Sequence, residues 1–492
     1  MNLYLAIDLG TTGCRSIIFN SSMEELAESY REYGLITPQD NYVEQDANLW
    51  WSLTLETAKD AIQKAEVSKG DIKGISVSSQ GITLVPVDEQ INPLCNAISW
   101  LDVRAGKQAR RLQEDFGMRR MFALTGKPID AVYFLPKLIW LKEEMPELYE
   151  KTWKFLMPME FLIGKLTGNC VTDHSMASGT LVYDIREHVW SKEILSRYGI
   201  SEERLPELKW CGEVAGTVLP EVAEQLGLSE DCVVAVGAQD QRCASLGAGL
   251  REGVVTLSLG TAGAICKYHT EAKTEGDTRI GWSAYVSEDS WVTEGVINTA
   301  GSSLRWLRDT MYPGCDYDVI NQEAKEALER GSNLLFYPYL NGASSPDRYP
   351  DSEGCFYGAS LATQRGDFAL AVMEAIAFQT KIILEAMGGT EDIHTLVLFG
   401  GGSKSPLWQQ IFADVLRMTV AVPASGEAAC RGAAFLAGVA RGEFSKEAVP
   451  LSEGLKEVLP SEKCEKYREK YERYRRIEYK LWRQGEEICD IS

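Results

Sequence analysis

The stretch from Leu5 to Asn20, LAIDLGTTGCRSIIFN, sets a Gly-Thr-Thr-Gly turn between two apolar runs. Gly10 lets the backbone bend sharply and approach an anion, while Thr11 and Thr12 offer hydroxyl and amide donors ahead of Gly13. Arg15 adds a cation one hairpin-width away. Asp8, just before the turn, is a carboxylate able to hold a hydrated Mg²⁺ beside phosphate oxygens. The plainer alternative is a hairpin whose threonines cap its turn. Half a chain later the pattern returns: Val254 to Tyr268 reads VVTLSLGTAGAICKY, with Gly260 and Thr261 in the equivalent places. Two such turns in matching halves favour phosphate binding. A third glycine cluster lies in TLVLFGGGSKSPLWQQIFADVL, from Thr395 to Leu416. Gly400, Gly401 and Gly402 would let a flat ring such as adenine lie against bare backbone. Ser405 and Pro406 suit the cap and first position of a helix whose buried stripe is Trp408, Ile411, Phe412 and Val415. The common phosphate loop, Gly-x-x-x-x-Gly-Lys-[Ser/Thr], is missing: Gly164-Lys165 is followed by Leu166 and lacks the upstream glycine.

Transfer of a phosphoryl group also needs a base for the attacking hydroxyl. Among 71 acidic residues, Asp240 is distinguished by position. It ends the apolar run of VVAVGAQDQRCASLGAG (Val233 to Gly249) and opens a small-residue segment that reads as a helix. An N-cap is the ordinary role for aspartate at such a junction, so base and cap both stand as readings.

The elements that must hold these residues alternate between strands and helices, which predicts α/β layers. Helical patterns run from Leu49 to Ala65 and from Phe368 to Met387; Asp71 to Asp88 carries two short strand-like runs. A last helix, from Ser461 to Arg483, puts Tyr467, Tyr471, Tyr474 and Leu481 close to one face, with interleaved charges that mark a docked surface helix. The repeated hairpin predicts two similar domains, 1–247 and 248–492, with a boundary near 245–253.

Composition excludes several classes. A formal net charge of −21 argues against nucleic acid and anionic membrane surfaces, which are bound through clustered Lys and Arg. Twelve cysteines are scattered from Cys14 to Cys489 without a Cys-x-x-Cys pair, and the four histidines lack helical pairing, so neither a disulfide scaffold nor a His-based metal centre is expected. The N-terminus enters a strand pattern directly and no apolar run is long enough to span a bilayer, so a soluble cytoplasmic protein is expected.

The order of motifs, DxGTTxxR, a central Asp at a strand end, LGTxG, then GGG before a helix, resembles the FGGY carbohydrate kinases of the sugar-kinase, heat-shock-70 and actin superfamily. The likeness extends to Trp100, Asp102 and Arg104 of a Trp-Asp-x-Arg stretch, to ASGTLVYD (Ala177 to Asp184) and to AGSSLRWLRDTM (Ala300 to Met311). It implies two actin-like, ribonuclease H-like ATPase domains facing a central catalytic cleft, and an ATP- and Mg²⁺-dependent kinase for a sugar or polyol. By the same resemblance Asp240 is the catalytic base, with Gln241 beside it. Thr11, Thr12, Gly13, Arg15, Gly260 and Thr261 cradle phosphates; Gly301, Arg305, Gly401, Gly402 and Ser405 line the nucleotide; Asp8 and Asp240 serve the metal. Arg305 stands where glycerol kinases carry glutamine.

The substrate is expected around Gln80, Gly81, Ile82, Trp100, Asp102, Arg104, Asp240 and Gln241, with Tyr133 near a further family position. Trp100 could stack on a sugar face or belong to the core. Xylulokinases follow the equivalent of Gln80 with Met-His and glycerol kinases carry Arg-Glu there; Gly81-Ile82 matches neither. A xylulose-type ketopentose is the expected substrate, with glycerol, erythritol, a deoxyketose and gluconate open. A chaperone-like or filament-forming ATPase and a sugar-sensing regulator are the competing classes. The first would append a β-rich domain or self-complementary surface, and the second a basic helix-turn-helix. The family often forms dimers, so a homodimer is a further expectation.

Overall fold

The computed structural model describes residues 2–349, 352–424, 427–446 and 454–482. The chain divides into two compact units. The first takes Met1–Gly249, His269–Val292 and Glu427–Ser452; the second takes Leu250–Tyr268, Thr293–Gly426 and Glu453–Ser492. The first break falls within the expected boundary, but the units are not contiguous halves. The helix Ala428–Ala440 gives the reason: alanine-rich and buried along most of its length, it packs on the strands Leu3–Leu9, Ile72–Ser79 and Val233–Gln239.

Those strands are the centre of a six-stranded sheet in the first unit. Leu3–Leu9 pairs antiparallel with Gly13–Asn20, which pairs antiparallel with Glu25–Glu32. On its other side Leu3–Leu9 runs parallel to Ile72–Ser79, and that strand runs parallel to Val233–Gln239. Val214–Thr217 closes the edge antiparallel. The central strands read as near-continuous buried runs because helices cover them. Ala47–Lys64 starts at Asp46, whose carboxylate accepts the Asn48 N–H, and it seats Thr57 against Ser16 with the hydroxyls 2.8 Å apart. Asp240–Gly247 and Ala428–Ala440 cross with their backbones in contact. A Cβ at Gly432 would stand 2.0 Å from the Cys243 carbonyl, and one at Gly247 2.0 Å from that of Ala428, so glycine is required at both.

The second unit repeats this order. Gly263–His269 pairs antiparallel with Val254–Leu259, which runs parallel to Thr395–Phe399; Thr419–Val422 follows in parallel and Lys456–Val458 closes antiparallel. The doubled hairpin of the sequence is therefore one corner of a doubled sheet. The runs in Asp71–Asp88 form strands of different sheets, since Val85–Val87 pairs with Lys154–Leu156. The helix Cys464–Trp482 buries Tyr467, Tyr471 and Tyr474 as the spacing predicts, but Leu481 is exposed. Trp482 takes the inner place, 5.0 Å from the Tyr337 and Tyr339 rings, and Glu478 is buried on Tyr339 and Gln379. Arg483 and Cys489 lie outside the described residues. Among those described, the cysteines are free thiols, no His/Cys/Asp/Glu group of three or more could hold a metal ion, and no helix is long and apolar enough to cross a membrane.

Candidate active site

Three parallel strands finish at one edge of the first sheet. The register aligns Asp8 with Ser78, and Ser79 with both Leu9 and Gln239. Ligands of open α/β sheets bind outside such carboxyl ends. At this edge stand the Gly10–Gly13 turn, Gln80 with Gly81, and Asp240, each leaving a different strand.

Asp8 accepts a hydrogen bond from the Ser78 hydroxyl at 2.7 Å. Burial pushes its carboxyl up from the usual range; Ser78 and Arg15 pull the other way. Arg15 lies opposite Asp8 across the hairpin and is ion-paired to Glu427 at 2.6 Å and Glu28 at 3.3 Å. Its charge is thus already shared by two carboxylates. Thr12 is exposed, and Gly13 is buried under the Tyr30 ring. Thr11 is fixed from two directions. The Trp100 indole N–H donates to its hydroxyl at 2.9 Å, and the Gln45 amide donates to its carbonyl at 2.8 Å. Gln45 in turn accepts from the Gln80 amide at 2.9 Å, while the Gln80 Oε1 is buried with no partner among the described residues. Trp100 is 37% exposed, so it does not belong to the core.

Two further residues expected at the sugar are engaged within the protein. Asp102 is fully buried and accepts from the Val43 N–H at 2.6 Å and from Arg104 Nη2 at 2.7 Å. Arg104 also bonds Glu44 at 2.8 Å and lies 3.8 Å over the Tyr42 ring. The pair clasps residues 42–44 to the loop around Trp100, and both charges have partners within the protein. Tyr133 is half-buried at the start of the helix Phe134–Glu144. Sequence reasoning missed Gln45, which carries no local signal, and Lys137. The signal for Lys137 was a lone lysine within the apolar run FLPKLIWL.

Asp240 is the first residue of the helix Asp240–Gly247 and is half-buried. The capping role falls to its neighbour: Gln239 accepts the Gln241 N–H at 3.1 Å through its side chain. One Asp240 oxygen accepts from the Gln241 N–H at 2.6 Å and from the Gln239 amide. The Gln239 N–H is anchored to the Ser175 hydroxyl at 3.2 Å. A carboxylate at a strand end and a helix N-terminus stands where the helix dipole favours negative charge.

The second unit contains a cavity of about 540 Å³. Its lining brings together Gly260, Thr261, Gly301, Arg305, Gly401, Gly402 and Ser405, every nucleotide-side residue expected from the second half of the sequence. The repeated turn is joined to a helix start: the Gly301 N–H donates to the Gly260 carbonyl at 2.9 Å, and Ser302 donates its hydroxyl to the Thr261 carbonyl at 2.8 Å. Gly400 adopts φ +89°, and Gly401 has open space where a side chain would stand. Ser405 caps the helix Pro406–Leu416 and donates to Asn321 at 2.7 Å. Tyr317, Asn321 and Lys404 line the cavity without having been singled out. Among the described residues Arg305 makes no ion pair, which leaves a cation facing a glycine-lined cavity.

This construction has known counterparts. Residues 3–247 match the N-terminal domain, and residues 255–441 the C-terminal domain, of the FGGY family of carbohydrate kinases. The chain belongs to that family. The FGGY kinases most like it include a xylulose kinase of Bacillus subtilis, 32% identical over 97% of each chain. A gluconokinase of Bacillus licheniformis is 28% identical over 89% of this chain and 88% of its own. A glycerol kinase of Thermococcus onnurineus is 30% identical over 94% and 92%. The xylulose kinase structure from Lactobacillus acidophilus superimposes with a TM-score of 0.91 over 98% of both chains at 24% identity, which shows the shared fold. The protein is an ATP-dependent carbohydrate kinase with the two-domain, actin-like ATPase fold of sugar kinases.

Proposed function

We propose that the chain phosphorylates a hydroxyl of a neutral, xylulose-type ketopentose, with Asp240 as general base. The observation that carries this reading is the charge at the edge of the first sheet. Arg15 and Arg104 are each held by two carboxylates, and Gly81-Ile82 offers no charge, so among the described residues named at this edge none is a free cation to pair with the carboxylate of an aldonate. What it offers is polar and uncharged: the unmet Gln80 oxygen, a half-exposed Trp100 face and the Gly10–Gly13 turn. Identity to xylulose kinase supports the same choice.

In this reading Trp100 and Gln80 orient the sugar, and Asp240 takes the proton of the attacking hydroxyl as the γ-phosphoryl arrives in line. Gly260, Thr261 and the Gly401-Gly402 backbone hold the nucleotide, with Arg305 adding charge. Mg²⁺ fits the donor set at Asp8. Such an ion uses one or two carboxylates and takes its other ligands from phosphate oxygens and water, so no three-residue cluster is needed. It would neutralise phosphate charge when bound, and Asp8 with Asp240 are its carboxylates.

Coupled ADP release measured with D-xylulose, gluconate, glycerol and erythritol tests the assignment. D-xylulose is expected to give the highest kcat/KM by at least about tenfold, the discrimination a few polar contacts supply. Gluconate in first place would show that an anion is accommodated and would refute the neutral-sugar reading.

A further inference from the structure

The turn after Ile72–Ser79 is held in a conformation its own sequence disfavours. Ile82 adopts φ +51°, the left-handed region that a β-branched residue enters only when its surroundings impose it. Two neighbours do so. The Ile82 side chain is pressed against Gly179, where even a Cβ would come within 2.6 Å of Cγ2. Beneath the turn, Lys137 is fully buried and donates to the Ile82 carbonyl at 3.1 Å and to the Ser99 carbonyl at 2.7 Å. Ser99 leads into Trp100, whose backbone N–H is bonded to the Thr83 hydroxyl at 3.0 Å. Two loops far apart in sequence, 80–83 and 99–100, are therefore joined through one amino group. Among the described residues Lys137 has no ion-pair partner. Burying an amine that way is unfavourable, and its two carbonyl acceptors are what hold it there.

We infer that Lys137 is a positioning residue for the sugar: it holds the Gln80–Thr83 turn and the Ser99–Trp100 segment in register, so that Gln80 presents its unmet oxygen and Trp100 its ring to one hydroxylated ligand. This rests on the assignment of those loops to the sugar. Lys137 acts through the backbone carbonyls of Ile82 and Ser99.

Steady-state kinetics of Lys137→Met, with D-xylulose, gluconate and glycerol assayed in parallel, tests the inference. The sugar KM is expected to rise roughly ten- to a hundredfold, the effect of leaving two buried carbonyls unmet, while the KM for ATP stays at its wild-type value. In an Ile82→Gly background the same substitution is expected to raise the sugar KM less, because glycine holds a positive φ unaided. Should Lys137→Met not fold, Gly179→Ala probes the turn with Lys137 in place. Its methyl presses on Ile82 and is expected to raise the sugar KM, and Ile82→Gly is expected to relieve that rise; an unchanged sugar KM in folded Gly179→Ala overturns the inference. Equal effects of Lys137→Met in both backgrounds also overturn it. So does an unchanged sugar KM in Lys137→Met while Ile82→Gly alters it, which leaves the sugar-site assignment standing. Sugar KM values unmoved by all these substitutions overturn that assignment as well.

Discussion

Lys137 shows how one residue couples function to stability. Burial brings its amine from an ordinary 10.5 down to about 7, with Asp102 and Asp130 pulling upward and Arg104 downward. Between those two values the unfolded chain carries a proton that the folded chain has released, so stability rises with pH across the window. From pH 7 to pH 9 this contributes about 2 kcal/mol in favour of the folded state. Urea unfolding at both pH values is expected to show the wild type gaining that much relative to Lys137→Met; parallel pH profiles for the two proteins would contradict it. Other roles at this scale depended on neighbours. Asp102 and Arg104 were legible as a motif, but their partners Val43 and Glu44 arrive from a distant segment and turn both inward. Base and cap both stood as readings of Asp240 because glutamine is an unusual N-cap; the Gln239 side chain reaching the Gln241 N–H shows which residue caps the helix.

Elements were more legible than residues where a local signal fixed both ends. Thr395–Phe399 and the helix from Pro406 follow from an apolar run, three glycines, a serine cap and a proline. The two Gly-Thr turns marked equivalent hairpins because the strand–turn–strand pattern is short-range. What no local pattern encodes is the crossing of Asp240–Gly247 with Ala428–Ala440, which brings Gly432 onto the Cys243 carbonyl. A side chain there must push the helices apart and carry Asp240 with them. Gly432→Val is accordingly expected to destabilise the protein by about 1–3 kcal/mol and to lower kcat more than the KM for ATP. Thermal unfolding and kinetics together check this; a variant with wild-type melting and turnover would show that the crossing does not position Asp240.

For the whole molecule, the net charge of −21 argues against a phosphate-backbone partner without arguing against a small phosphate ligand. The cavity proposed for the nucleotide is lined by glycine backbone, hydroxyls, Arg305 and Lys404 rather than by a cluster of positive charge. The hairpin echo marked two related sheets, and a hairpin, two further parallel strands and an antiparallel edge strand recur in the same order in both. The discontinuity of the two units was not legible, because a helix near the end of the chain returns to cover the first sheet. A fragment of residues 1–247 lacks that helix and is expected to expose apolar strands and aggregate. Sedimentation and circular dichroism would test it, and a folded, monomeric fragment would contradict the account of the first unit.

The central claim is that Asp240 at the sheet edge activates a sugar hydroxyl for phosphorylation by ATP. It is tested most directly by ADP release from wild type and Asp240→Asn with D-xylulose. Sugar-dependent turnover in the wild type, falling by about 10²–10⁴ in the variant while ATP still binds, is the predicted result. Near-normal turnover in Asp240→Asn, or ATP turnover in the wild type that ignores the sugar, would contradict it.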